Sequence, residues 1–277
     1  MTALREICEF LDTFAPLQLA EDWDNVGLLV GDPDRSVGRV MTCLTVTPAS
    51  VAEAVEDGVD LIVTHHPMPF RPLKRLTTEQ TPSRLLLQMI RADVAVYSPH
   101  TAFDSAAQGI NQQLADGLGL TDVLPLMVHD PQRPEQGAGR YGRLSQPIRL
   151  ADLVQELKRF LGIAGLHVVG DRNRDVRCIA VACGAAGEFL EPAARVGCDV
   201  LVTGETTFHT CLEAEALGMA LLLPGHYASE RFAVETLADR LADRFPKLAV
   251  WASRREEDPL FWAAAGTAWD GKNGPVC

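Results

Sequence analysis

The chain has 277 residues, 47% of them hydrophobic and 22% charged, enough for one large domain or two modest ones with ample core. A net charge of −12 leaves no basic excess to displace phosphate counterions, which argues against nucleic acid as a partner; a pair of divalent cations could still reverse the field locally and admit a small anionic substrate. No apolar run approaches the roughly 20 residues of a membrane span, and the seven cysteines form no CxxC pair and read as reduced, buried thiols, so the chain is expected in the cytoplasm, with no membrane partner.

In chain order, Leu4, Ile7, Cys8, Leu11 and Phe14 fall at helical spacing in an N-terminal segment whose acidic residues distinguish it from a signal peptide. A strand is predicted at 40–46, a helix at 49–57, a strand at 61–64, a helix at 83–91, a strand at 94–97 and a helix at 105–118. The Pro- and Gly-rich stretch 128–142 marks a junction. Beyond it come a helix at 150–161, a strand at 179–182, a helix at 188–196, strands at 200–203 and 221–223, and a helix at 229–245. Near-continuous apolar strands alternating with helices predict an α/β layered fold around a buried parallel or mixed sheet.

The two halves, 1–127 and 128–277, resemble each other. Gly58-Val-Asp-Leu-Ile-Val-Thr64 reappears as Gly197-Cys-Asp-Val-Leu-Val-Thr203, and Ser-Pro-His100-Thr-Ala-Phe-Asp104 is echoed by Pro-Gly-His226-Tyr-Ala-Ser-Glu230. Two occurrences indicate a duplication. Three polar clusters then fall at the C-terminal ends of predicted strands, where ligands collect in open α/β sheets. Thr64-His65-His66-Pro67 offers adjacent imidazoles able to address two neighbouring ions, because consecutive side chains leave a strand in different directions. His100-x-x-x-Asp104 and His226-x-x-x-Glu230 each place an imidazole and a carboxylate one helical turn apart. Each cluster alone also has a structural reading: a satisfied histidine pair, a helix cap at Asp104, a favourable dipole contact at Glu230. Their convergence favours a metal site.

By the repeat, Glu205 occupies the place of His66, as a ligand, a general base or a partner orienting an imidazole. It is the candidate catalytic residue, and its substitution is expected to spare metal content and reduce turnover. His100 and His209 read as outer or substrate-facing groups, while His129 and His167 need only surface roles. Gly137-x-Gly139-x-x-Gly142 follows a polar loop instead of a strand, so a dinucleotide reading fails on context. Gly184-Ala-Ala-Gly187, after a strand, is either an anion cradle or a tight strand-to-helix turn.

Taken with Trp23-Asp24-Asn25-Val26-Gly27-Leu28, Gly139-Arg140-x-Gly142 and Thr203-Gly204-Glu205, these clusters resemble the Nif-three-like or YbgI-type dinuclear metal-centre family, commonly labelled GTP cyclohydrolase I type 2 homologues, from about residue 4 to 260. The resemblance implies two similar α/β/α lobes with mixed sheets related by a pseudo-twofold repeat, and a ring-shaped homohexamer. It also implies two divalent ions (Zn, Fe, Mn or Ni) on His65, His66, Asp104, His226 and Glu230. Residues 263–277 match nothing in the family and read as a loose tail. The function so implied is a metal-dependent hydrolase acting on a nucleotide or similar small anion; the alternative, needing the same ligands, is a non-enzymatic metal-binding scaffold or regulatory protein.

Overall fold

Strands with no solvent-facing side set the architecture. In the computed structural model, which describes residues 2–130 and 132–261, β-branched and aliphatic runs buried on both faces form the centres of two sheets, as helix-covered parallel strands must. The first half runs β1 (Thr2–Ala3), α1 (Leu4–Phe14), β2 (Gly27–Val30), β3 (Ser36–Val37), β4 (Arg39–Cys43), α2 (Pro48–Glu56), β5 (Leu61–Thr64), α3 (Thr81–Arg91), β6 (Ala95–Ser98), α4 (His100–Ser105), α5 (Ile110–Gly117) and β7 (Thr121–Leu124). The second adds β8 (Met127–Val128), β9 (Gly137–Ala138), β10 (Arg140–Arg149), α6 (Leu150–Leu161), β11 (His167–Val169), β12 (Asp175–Ala182), α7 (Leu190–Arg195), β13 (Val200–Thr203), α8 (Phe208–Leu217), β14 (Ala220–Leu223), α9 (His226–Arg244) and β15 (Ala249–Ala252).

One mixed sheet has the order β15-β4-β5-β6-β2 and the other β11-β14-β13-β12-β10-β7. The duplication is visible in both. β4, β5 and β6 are parallel neighbours with β2 antiparallel at the edge, and β12, β13 and β14 repeat this with β11. The equivalence extends to hydrogen bonds. Asp60 Oδ2 accepts from the amides of Gly38 and Arg39 at 2.7 and 2.9 Å, and Asp199 Oδ2 accepts from Arg177 and Cys178 at 2.8 Å each. The equivalent aspartate thus holds, in each half, the two residues just before parallel pairing to β5 and to β13 begins, at Val40 and at Ile179. The sheets also exchange outer strands: β15 returns to pair with β4, and β7 joins β10. Leu4, Ile7 and Leu11, all fully buried, bring α1 into the larger core; each such side chain contributes about 1.5–3 kcal/mol on leaving water.

Several boundaries differ from the sequence expectation, each for a tertiary reason. The strand expected to reach 46 stops at Cys43, because the next two amides, Leu44 and Thr45, donate to the Glu256 carboxylate at 2.8 and 2.6 Å instead of to a ladder partner. The single helix expected at 105–118 is two, α4 and α5. Arg140 donates to the Ser105 and Ala106 carbonyls at 3.2 and 2.7 Å, the groups with which α4 ends. The helix expected at 188–196 opens with a 3-10 turn, Gly187–Phe189, and the one expected at 229 begins at His226. The junction 128–142 holds β8, β9 and the start of β10. No strand is predicted over β10 because it contains Pro147, which sits where the ladder to β12 is interrupted between Arg143 and Ile148, the place a sheet tolerates proline. Residues 263–277, read as a loose tail, lie outside the described residues. Among the described residues no helix is long and apolar enough to cross a membrane.

Arg140 is among the largest fully buried side chains of the described residues. It also donates to the Gly137 and Gly139 carbonyls at 2.5 and 2.7 Å and to Gln112 Oε1 at 3.1 Å, and burial lowers its pKa to about 10. Its removal strands several buried carbonyls at once, each worth about 1–3 kcal/mol when left unsatisfied. Arg140→Ala is therefore expected to lose on the order of 4 kcal/mol in urea unfolding, with Arg140→Lys recovering part of it; a loss below about 1 kcal/mol would contradict the clamp.

Candidate metal centre

His65 and His66 leave the end of β5 with their backbone already fixed. Their amides donate to Cys43 and Leu44 at 3.0 and 2.8 Å, and Ser98 Oγ donates to the His65 carbonyl at 2.7 Å. The other donors stand at two helix entrances, on α4 and α9. His100 opens α4 with Asp104 one turn on; His226 opens α9 with Glu230 one turn on. Since β5 and α4 belong to the first half and α9 to the second, the side chains meet where the halves face each other.

The cluster has two sides, divided by the Glu230 carboxylate. On one, Glu230 Oε2 lies 3.2 Å from both His66 Nε2 and His226 Nε2, which are 3.4 Å from each other. Four N or O ligands placed tetrahedrally at about 2.1 Å from an ion stand roughly 3.4 Å apart, so this triangle has the spacing of three ligands around one cation. On the other side, His65 Nε2 lies 3.8 Å from Glu230 Oε1 and 3.6 Å from Asp104 Oδ1. His65 is 3% exposed, and neither of its ring nitrogens has a hydrogen-bond partner among the described residues. The donors His65, His66 and His100, and separately His66, His226 and Glu230, are close enough to hold a metal ion. The residues present therefore fit such a group: unmet nitrogens, carboxylates facing them, and ligand-like separations.

The outer ring edges are held too. Glu205 Oε1 is 2.9 Å from His226 Nδ1, Asp24 Oδ1 is 2.7 Å from His100 Nδ1, and Thr45 Oγ1 is 2.7 Å from His66 Nδ1. Each contact turns the Nε2 edge inward. Electrostatics follow from crowding in a dry place. Burial, reinforced by the Glu230 charge, pushes Asp104 up to about 7. Burial works against ionisation of Glu230 as well, but the His226 hydrogen bond and the His65 and His66 charges prevail and hold it well below the usual carboxylate range. The Glu230 hydrogen bond, with Glu205, raises His226 to about 9. Burial dominates at His65 and lowers it well below the ordinary histidine value.

All five residues expected as ligands are thus brought together, with His100 alongside them. Glu205 sits behind His226. His209 is not brought in; it lies exposed on α8 beside Phe208, and His129 and His167 are exposed elsewhere. Gly184-Ala-Ala-Gly187 is a strand-to-helix turn with two of its amides already used, Gly184 donating to Ser229 Oγ and Ala186 to Thr203 Oγ1. Sequence reasoning passed over Asp24, Thr45 and Cys183, whose Sγ donates to Asp104 Oδ1 at 3.2 Å. Asp24 stood in the Trp-Asp-Asn segment; Thr45 and Cys183 carried no local signal.

Gly184 has a specific duty. With φ at +67°, a Cβ there would stand 2.5 Å from Glu230 Oε1 and 3.4 Å from His226 Nε2. Gly184→Ala is expected to displace Glu230 and weaken divalent-metal binding at least tenfold, read by titration calorimetry; affinity unchanged within twofold would show that Glu230 is not a donor. Glu205→Gln should weaken binding about tenfold to a hundredfold, as loss of an orienting partner does, while the site still fills at saturating metal.

Residues 2–259 match the family described as Duf34/NIF3 (NGG1p interacting factor 3). Among curated relatives, the chain is 31% identical to a "GTP cyclohydrolase 1 type 2 homolog" of Clostridium perfringens over 93% of this chain and 98% of that protein. It is 34% identical to a protein of the same name from Streptomyces coelicolor, over 95% of each. Among solved structures, Staphylococcus aureus hypothetical protein SA1388 superposes with a TM-score of 0.85 at 26% identity, covering 94% of this chain and 99% of that one. Reduced HcgD from Methanocaldococcus jannaschii superposes with a TM-score of 0.80 at 27% identity, covering 91% and 97%.

Proposed function

The chain belongs to the DUF34/NIF3 family, and from that premise we propose that it is a dinuclear metal-dependent hydrolase acting on a nucleotide or a similar small molecule. His66, His226 and Glu230 would hold one ion, and His65, Asp104 and Glu230 would hold the other. The observation that carries this reading is His65: a buried imidazole without, among the described residues, a hydrogen-bond partner on either nitrogen, facing two carboxylate oxygens. A buried polar atom left unsatisfied costs about 1–3 kcal/mol, and a cation between ring and carboxylates removes that cost. Three protein donors per ion leave a coordination position open to water or substrate, as catalytic sites do and closed structural sites do not. Divalent ions there would supply Lewis acidity, activating water and polarising a substrate oxygen.

The chain's own residues do the rest. Glu205 keeps His226 Nε2 aimed inward and, half exposed beside the cleft, can accept a proton from an approaching nucleophile. Thr45 and Asp24 hold His66 and His100, and Cys183 donates to Asp104, which keeps that carboxylate turned towards His65. The name carried by the bacterial relatives supports a hydrolytic reaction on a nucleotide-like compound.

Elemental analysis of the purified, metal-reconstituted protein is expected to give two first-row divalent ions per chain, falling to one or none in His65→Ala. The wild type should turn over a member of a panel of nucleotides and phosphoesters, and His65→Ala should not. Full metal occupancy with no turnover on any substrate would point instead to a non-enzymatic metal-binding scaffold.

A further inference from the structure

The cleft in front of the cluster holds about 490 Å³ and has one wall of rings. Trp23 is 63% exposed and Phe70 47% exposed, although bulky aromatic side chains are normally mostly buried. Their ring centroids are 6.0 Å apart, and the two lie 6.0 and 5.9 Å from the His100 ring. His100 faces the metal donors on its other side, 5.2 Å from the His65 ring and 5.6 Å from the His66 ring. The wall is therefore continuous with the chemistry. Phe189 and Met127 also line the cleft, the second a side chain that adapts to flat ligands.

The charge of the cleft is the second, independent observation. Among the described residues that line it there is no lysine or arginine, whereas Glu21 and Glu188 line it together with the donor carboxylates Asp104 and Glu230. Two divalent ions would bring four positive charges against those four carboxylates, leaving the cleft near neutral. Sites that bind polyphosphates present arginine, lysine or a row of free amides. What Glu21 and Glu188 offer is hydrogen-bond acceptors, suited to N–H donors on the edge of a ring.

We propose that the cleft recognises a flat, uncharged heteroaromatic ring bearing N–H donors, of the purine nucleoside class, laid against the Trp23–Phe70 wall with its N–H edge towards Glu21 and Glu188 and its acceptor atoms towards His100 and the ions, and that it does not select for a polyphosphate. Trp23 and Phe70, with centroids 6.0 Å apart, are too close for a ring to enter between them, since two stacking contacts need about 7 Å; the ligand lies on the wall. This deepens the hydrolase reading by assigning its substrate class, and it rests on that reading only for what happens after binding.

Titration calorimetry of the metal-loaded protein with guanosine and with pyrophosphate tests it. Guanosine is expected to bind saturably, and Trp23→Ala and Phe70→Ala each to weaken it about tenfold to a hundredfold, the usual loss when a base loses its aromatic platform. Pyrophosphate affinity and metal content should be unchanged, because both rings are largely exposed and neither is a donor. Absence of guanosine binding, guanosine binding indifferent to both substitutions, or pyrophosphate binding tighter than guanosine would each overturn the proposal. The two readings fail separately. Ring binding without turnover of any substrate leaves this assignment standing and removes the hydrolase. Turnover of a purine nucleotide with a KM and rate indifferent to both Trp23→Ala and Phe70→Ala leaves the hydrolase and removes this assignment.

Discussion

A buried imidazole with neither nitrogen met among the described residues, facing two carboxylates, is the constraint around which this molecule is arranged. His65 cannot move to water, because its backbone amide and carbonyl are both engaged with neighbouring segments. Nor does it have a hydrogen-bond partner among the described residues, because Asp104 and Glu230 stand 3.6 and 3.8 Å away, beyond a good hydrogen bond. Such a group is destabilising unless something bridges the gap. The separation that is too long for a hydrogen bond suits a shared cation. The cluster therefore reads as a site whose stability and chemistry have one source: donors spaced for an ion, in surroundings dry enough to make the ion matter.

Holding donors from two halves at that spacing requires long-range fasteners, and the fold supplies at least two. Glu256, just past β15, accepts from the Leu44 and Thr45 amides directly behind His66 and lies 3.4 Å from Arg231, the neighbour of Glu230. Its own carbonyl accepts from the Tyr227 hydroxyl, beside His226. One residue just past the returning strand thus touches the supports of three donors. Arg140 does similar work on the other side, binding the end of α4, which carries Asp104, to the start of β10. The strand exchange between sheets is what brings both fasteners within reach.

This division explains what could be read in the sequence. Parallel strands buried on both faces announced themselves as unbroken apolar runs, and amphipathic helices such as Leu150–Leu161 by their period. Donor residues sat at strand ends, where the repeat doubled each signal. The rest depended on partners far along the chain. α8 buries only Ala214, so its sequence shows no apolar face to find. β15 is four residues that make sense only against β4. The break between α4 and α5 is made by an arginine more than 30 residues away. Glu205 was legible as a site residue, but its attachment to His226, instead of a direct place among the inward-facing donors, could be seen only once both strand ends were folded.

The central claim is that two ions sit in one cleft between two fused halves. Anomalous diffraction from crystals of the metal-loaded protein, collected at the absorption edge of the bound metal, tests it most directly. The account predicts two peaks, one among His66, His226 and Glu230 and one among His65, Asp104 and Glu230. A single peak, or peaks elsewhere with His65 still unpartnered, would contradict it.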